Sequence, residues 1–162
     1  MKKFVLALSV MLLSMVGICI AVTAPYIFIT EAGYSTDSIG SLKHAPPATH
    51  YCIADIVIEN RGYPEFKVNP NDFLAKPKNI NDEYKFDSAT MYLFSLGRVP
   101  LPTVTLLDGD SVTGSLAFLT PYRVTEFELV YIGPSGYTIN WNATGSYVLS
   151  DAYGSAVKPT IY

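Results

Sequence analysis

The sequence predicts an all-β fold, an antiparallel β-sandwich preceded by an N-terminal signal or anchor helix. Three observations predict it: short runs in which apolar and polar residues alternate, clusters of Gly, Pro, Asn and Asp between those runs, and no sustained helical period beyond the N-terminal segment. At 162 residues the chain has room for one ordinary domain beside a targeting segment, and 12 Tyr, 8 Phe and 1 Trp can fill its core. Residues 1–24 read as a signal peptide or signal anchor, 25–135 as the sandwich, and 136–162 as additional strands with a polar, Tyr-rich tail.

The N-terminal segment follows from charge. Lys2 and Lys3 precede a run, Phe4 to Val22, without one charged residue. A secretory apolar region runs about 7–15 residues and a spanning helix about 20, so this run lies between the two. Cutting after Ala21 puts Cys19 and Ala21 at the small-residue positions, whereas cutting after Ala24 puts Pro25 just past the bond. Left uncut, the segment is an anchor with the lysines inside. A lipoprotein cut at Cys19 is disfavoured by Ile18 before it, and Lys3-Phe4 does not resemble a pilin-type cleavage point. Either surviving reading predicts an extracellular or cell-envelope domain, secreted or held by one N-terminal helix.

The strands follow in order. Tyr26 to Glu31 is the first. In the next, Cys52, Ala54, Ile56 and Ile58 point one way and Tyr51, Asp55 and Glu59 the other. Asn60-Arg61-Gly62 ends it, because Asn and Gly tolerate left-handed backbone. Phe66 and Val68 resume the apolar face against Glu65, Lys67 and Asn69, which predicts two neighbouring strands joined at Asn60 to Pro64. Asp108-Gly109 is a hairpin-type turn before Val112, Gly114, Leu116 and Phe118, which alternate with Ser111, Thr113, Ser115 and Ala117. Gly114 on the inward face predicts a bulge or a close approach by another segment. Phe127, Leu129 and Tyr131 alternate with Glu126 and Glu128, a pattern expected of antiparallel sheets with one face wet. Ser35 to Thr49 reads as a long connection, and Asp87-Ser88-Ala89-Thr90 as the start of a short helical turn before Met91 to Leu96.

Taken together, these features resemble a known group. They are the Asp within the long strand that closes at Asn60-x-Gly62, Asn69-Pro70-Asn71-Asp72-Phe73, Tyr84 with Asp87-Ser88, Leu106 to Asp110 entering Ser111 to Phe118, and Leu129-Val130-Tyr131. This order is similar to the telokin-like, immunoglobulin-type extracellular domains of unknown function grouped with the immunoprotective extracellular proteins, over about Tyr26 to Tyr131. That family commonly has Pro-Gly where this chain has Asp108-Gly109, and the tail beyond Gly133 has no counterpart in it. The resemblance implies an immunoglobulin-like sandwich at the cell surface or secreted, and it carries over no catalytic residues.

Chemistry-bearing residues are few. Loss of Lys2 and Lys3 with the leader takes the net charge from −3 to −5, which disfavours nucleic acid as a partner. Only Cys52 then remains, so no internal disulfide is expected. His50 and Cys52 share a strand face and make a thiol–imidazole pair conceivable, although free Cys is more often a buried small hydrophobe. His44, His50 and Cys52 match no common zinc spacing. Asn69, Asn71, Asp72, Asp82, Glu83 and Asp87 are the better metal candidates, as loop oxygens suited to calcium, but Asn-Pro-Asn-Asp equally serves as a turn. Glu126 and Glu128 share a face without needing a glycosidase cleft to explain them. Asn142-Ala143-Thr144 is a glycosylation sequon, and Tyr137, Trp141 and Tyr147 form a possible aromatic contact strip or part of the core.

The expectation is therefore an exported binding or interaction module without enzymatic activity, cofactor or catalytic residues, whose partner is another envelope protein, a glycan or itself. The membrane is reached only through an uncleaved N-terminal segment. A second expectation is a structural subunit of a surface filament or sheath, in which Tyr26 to Thr30 or the polar tail adds to the next subunit's sheet. A third is a ligand carrier with an apolar pocket between its sheets.

Overall fold

A computed structural model of the chain describes residues 24–78, 80–124 and 126–143. The expected N-terminal helix, Cys19, Tyr147 and Thr144 of the sequon lie outside them. The described residues are mostly β, in several sheets: β1 (Tyr26–Thr36), β2 (Ser38–Ile39), β3 (Lys43–His44), β4 (Thr49–Arg61), β5 (Glu65–Val68), β6 (Phe73–Pro77), β7 (Tyr84–Lys85), β8 (Val104–Leu107), β9 (Ser111–Pro121), β10 (Phe127–Tyr131) and β11 (Ile139–Ala143). Two 3-10 helices, Pro70–Asp72 and Ser88–Leu96, interrupt them.

β4 organises the largest sheet, whose order is β11-β1-β4-β9. Its antiparallel register with β1 runs from Tyr26 opposite Arg61 to Thr36 opposite Tyr51, and with β9 from Thr49 opposite Pro121 to Glu59 opposite Ser111. The first strand therefore extends beyond Glu31 to Thr36, and the connection after Ser35 contains a small β2–β3 hairpin. β10, β6 and β7 form a second sheet, and β5 pairs with β8 alone. One core lies among these sheets: Ile27, Ile29, Ala54, Ile56, Ile58, Leu116 and Phe118 from the large sheet meet Phe66, Val68 and Leu106 from β5–β8 and Phe73, Phe127 and Leu129 from β6–β10. Burying each large side chain of this set contributes about 1.5–3 kcal/mol.

Two expectations about pairing need correction, and the large sheet proves to be covered on both faces over part of its length. β4 and β5 are not neighbours, because β1 and β9 already occupy both edges of β4, and β5 crosses to β8. Asp108-Gly109 does turn the chain, with Gly109 at φ 84° and Asp110 N–H donating to the Leu107 carbonyl at 3.0 Å, but β8 and β9 belong to different sheets and make no hairpin. The outer face of the large sheet is not wet along its whole length. Tyr51, Ile53 and Ala117 are buried there beneath Ala89 and Leu93 of the second 3-10 helix, together with Ile39.

That helix forms where the sequence starts it. Asp87 caps it, its Oδ1 accepting from Ala89 N–H at 2.7 Å, and Gly97 ends it at φ 72°. Nine residues is long for a 3-10 helix, which usually runs three or four, so packing on the sheet sustains it. β11 departs from the antiparallel pattern by lying parallel to β1, Ile27 opposite Ile139 through Glu31 opposite Ala143. The chain reaches β11 from β10 across the core, where no tight turn dictates direction.

Two buried details fix the crossings. Asn60 Nδ2 donates to the carbonyls of Tyr63 at 2.9 Å and Leu106 at 3.0 Å, and its Oδ1 accepts from Tyr63 N–H at 3.2 Å. Its backbone N–H donates to Asp110 and its carbonyl accepts from Gly109 N–H, each at 2.9 Å. The close approach expected at Gly114 is present: a Cβ there would meet the Leu101 Cα and lie 2.9 Å from the Leu101 nitrogen. We expect Gly114→Ala to cost about 1–3 kcal/mol through overpacking against backbone, read as a lower urea midpoint. Asn60→Ala leaves buried amide and carbonyl groups without partners and is expected to cost about 2–3 kcal/mol in the same assay.

Candidate functional site

The thiol–imidazole pair is close in space but not ionised. Cys52 Sγ lies 3.7 Å from His50 Nε2 and 3.1 Å from Thr120 Oγ1. Burial pushes the thiol up to about 12, outweighing the opposite pull of the Thr120 hydrogen bond. The nucleophile in thiol chemistry is the thiolate, which this environment suppresses. His50 is held below its ordinary value, first by burial, against the smaller raising influences of Asp37 and a hydrogen bond with the Val124 backbone. Its ring meets Tyr122 edge-on, with centroids 5.3 Å apart. His44 is exposed on β3, opposite Ser38, and does not join them.

The calcium candidates are engaged in local structure. Asn69 Oδ1 accepts from both the backbone N–H and the side-chain amide of Asn71, each at 3.1 Å, in the cap of the first 3-10 helix. Burial raises the Asp72 carboxyl. Asp82 meets Tyr84 Oη at 3.3 Å and Arg123 at 3.5 Å, Glu83 is exposed, and Asp87 caps the second 3-10 helix. Among the described residues, no three His, Cys, Asp or Glu side chains come together as a metal site. Glu126, just before β10, and Glu128 within it each stand beside a lysine: Glu126 is 3.9 Å from Lys78 and Glu128 stands opposite Lys76. An open groove of about 410 Å³ runs there, lined by Lys76, Pro77, Lys78, Ile80, Asn81 and Glu128.

The outer face of the large sheet holds a different arrangement. Arg98 Nε donates to both Asp55 oxygens at 3.0 and 3.1 Å, Ser115 Oγ donates to Asp55 Oδ1 at 2.6 Å, and the guanidinium sits 4.2 Å from the Tyr34 ring centroid. These bonds pin the chain leaving the second 3-10 helix. Ser115 N–H donates to Val99 and Leu101 N–H to Ser115, so residues 99–101 lie along β9. With three residues per turn, positions i and i+3 eclipse. Thr90 and Leu93 therefore form the ridge against the sheet, and Met91 and Phe94 form one facing away, 71% and 61% exposed. Val99 and Leu42 are exposed as well, and Leu42 belongs to the β2–β3 turn, where a Cβ on Gly40 would run into Ser95. Sequence reasoning missed this ridge. Its signal was available, since Met91 to Leu96 has apolar residues at all positions but one and a helix lying on a sheet can bury only one side.

A family model described as a domain of unknown function, DUF4352, matches residues 23–140. The chain belongs to the DUF4352 family. No curated protein matches it. Among solved structures, the DUF4352 chain is similar to the Bacillus subtilis ycdA protein, provisionally assigned as a lipoprotein, at 16% identity and a TM-score of 0.46 over 65% of this chain and 30% of that one. It is also similar to the Bacillus subtilis yjhA protein, at 18% identity and a TM-score of 0.44 over 74% of this chain and 94% of that one. The chain thus spans about a third of the ycdA length.

At the edge of the DUF4352 domain the expected aromatic strip divides. Tyr137 turns inward, its ring centroid 4.9 Å from Tyr63 and 4.8 Å from Phe66, whereas Trp141 is exposed on β11. Asn142 is also exposed.

His50 contributes to the pH dependence of stability. Its folded value lies below the ordinary 6.5, so the folded state favours the neutral ring. Its contribution is fully present above about pH 6.5 and is lost as pH falls through that value toward the lowered one. Urea midpoints measured from about pH 5 to 7 should rise with pH in the natural chain and flatten in His50→Gln.

Proposed function

We propose that this DUF4352 domain is an exported, non-enzymatic binding module whose partner docks on the Met91–Phe94 ridge. Its fold in this reading is an immunoglobulin-like β-sandwich of the telokin-like extracellular type, secreted or tethered at the cell envelope by its N-terminal segment. The carrying observation is the contrast between polar and apolar groups. Cys52 and His50 are buried and neutral and Asp55 is clamped by Arg98, while large apolar side chains on one helix are left in water. Contiguous exposed apolar side chains of this kind mark interaction surfaces. The charge-free run Phe4 to Val22 behind two lysines supports export.

The partner in this reading is another envelope protein, a glycan or a second copy, and no cofactor takes part. A sheath or filament subunit is the second reading, supported by the terminal position of β11 in its sheet. Over Ile27 to Glu31, β1 is paired on both edges, so strand donation in that reading falls to the C-terminal tail rather than to Tyr26–Thr30. A ligand carrier is the third reading; it calls for an apolar pocket between the sheets, whereas the groove along β6 and β10 is open and lined in part by Lys76, Lys78 and Glu128.

A photo-crosslinking residue at Phe94, introduced in the native cells, should give a discrete adduct that the same probe at exposed Thr113 does not. The adduct should disappear in a Met91→Ser background. Equal labelling from both positions, or none from either, would sink the proposal. Met91→Ser with Phe94→Ser should change stability by no more than about 0.5 kcal/mol, because both side chains are exposed.

A further inference from the structure

The outward side of the second 3-10 helix is free of charge. Ser88 to Gly97 contain no charged residue, in a chain with 14 acidic and 11 basic side chains, and Arg98 just beyond is clamped to Asp55 at 3.0 Å. The Ser95 hydroxyl donates to the Tyr92 carbonyl at 2.8 Å and so is turned back on its own helix. A charged peptide finds no counter-ion on this ridge, and a glycan finds few polar groups converging on it. The whole chain is net negative, −3 by formal count. Two copies therefore repel one another in general and meet at least electrostatic cost where neither presents charge.

We propose that the Met91–Phe94 ridge is a homodimer contact, in which two copies of this chain pack the ridge against itself about a two-fold axis. This rests on the reading of the ridge as a docking surface and names its occupant. A two-fold contact needs a surface complementary to itself. The ridge meets that condition because its two prominent side chains differ in kind and stand three residues apart, about 6 Å along a 3-10 helix. An axis through their midpoint runs the two helices antiparallel and sets each copy's Met91 on the other's Phe94. Both contacts are then thioether on aromatic ring, a favourable pairing in which the flexible Met side chain fits itself to the ring.

The area agrees with a weak dimer. Met91, Tyr92, Phe94, Val99 and Leu42, on and beside the helix, are 39% to 71% exposed. Side chains of this size then present roughly 100 Å² apiece, so two copies cover about 1,000 Å² in all, the lower limit of specific interfaces. The surface is also fixed before contact, by buried Leu93 against the sheet and by the Arg98–Asp55 clamp at the helix exit, so little ordering opposes association. A reversible dimer in the micromolar range is expected.

Met91 is the only methionine after Met15, which makes it its own reporter. Sedimentation of the exported chain, purified, should show monomer giving way to dimer across about 1 μM to 1 mM. Over the same range, with hydrogen peroxide in fixed large excess, the rate at which Met91 becomes its sulfoxide should fall severalfold, read by peptide mapping, because the dimer covers the sulfur. Phe94→Ser leaves Met91 in place and should keep the chain monomeric with an oxidation rate independent of concentration. A natural chain that stays monomeric throughout overturns the proposal, as does a dimer whose Met91 oxidises at the monomer's rate or that persists in Phe94→Ser. The natural chain alone decides the matter if Phe94→Ser fails to fold. The mass of the adduct from the photo-crosslinker at Phe94 separates this inference from the reading it rests on. Twice the chain's mass supports both, whereas a discrete adduct of any other mass, with a monomeric purified chain, overturns the dimer and leaves the docking surface standing.

Discussion

A strand has two edges, and β4 has both of them taken. β1 covers one and β9 the other over nearly all of its length, so the chain leaving Arg61 cannot fold back beside the strand it has just completed. Phe66 and Val68 still carry an apolar face that must be buried. The inner face of the sheet offers apolar surface, and β5 lies across the core there and pairs with β8 instead. Asn60 makes that departure possible: its single amide satisfies the chain on both sides of the crossing, holding Tyr63 and Leu106 while its own backbone engages the Gly109–Asp110 turn.

The elements were legible because alternation reports which face a residue occupies. Ile56 and Ile58, Phe66 and Val68, and Phe127 and Leu129 all point where their spacing places them. Alternation says nothing about which strand lies alongside, and that is where the expected β4–β5 and β8–β9 neighbours failed. The covered outer face was legible in part. Tyr51, expected on the face opposite Cys52, and Ile53, which alternation puts on the same face, are large apolar residues whose size itself calls for a cover. The parallel direction of β11 had no local signal, since it follows from where β10 leaves the chain.

Proximity and chemistry separated in the candidate sites. Two residues apart on a strand brings His50 and Cys52 together, as spacing implies. Whether such a pair ionises depends on what surrounds it, and desolvation there keeps the thiol protonated and the ring neutral. Asn69 and Asp87 illustrate the complementary point. Loop oxygens grouped in the sequence can each be satisfied by an amide one or two residues away, and the 3-10 helices show those amides in place.

The parallel pairing of β1 with β11 has a mechanical consequence. The N-terminal end of β1 and the C-terminal end of β11 lie at opposite ends of one ladder, Ile27 beside Ile139 and Glu31 beside Ala143. Tension applied through the two flanking segments pulls the strands past one another lengthwise. All the hydrogen bonds of the ladder then bear load together, instead of parting one after another as they would in a hairpin pulled from its open end. Rupture under force is governed by the unfolding barrier rather than by equilibrium stability. A modestly stable domain built this way can resist stretching along its own termini while unfolding readily by heat.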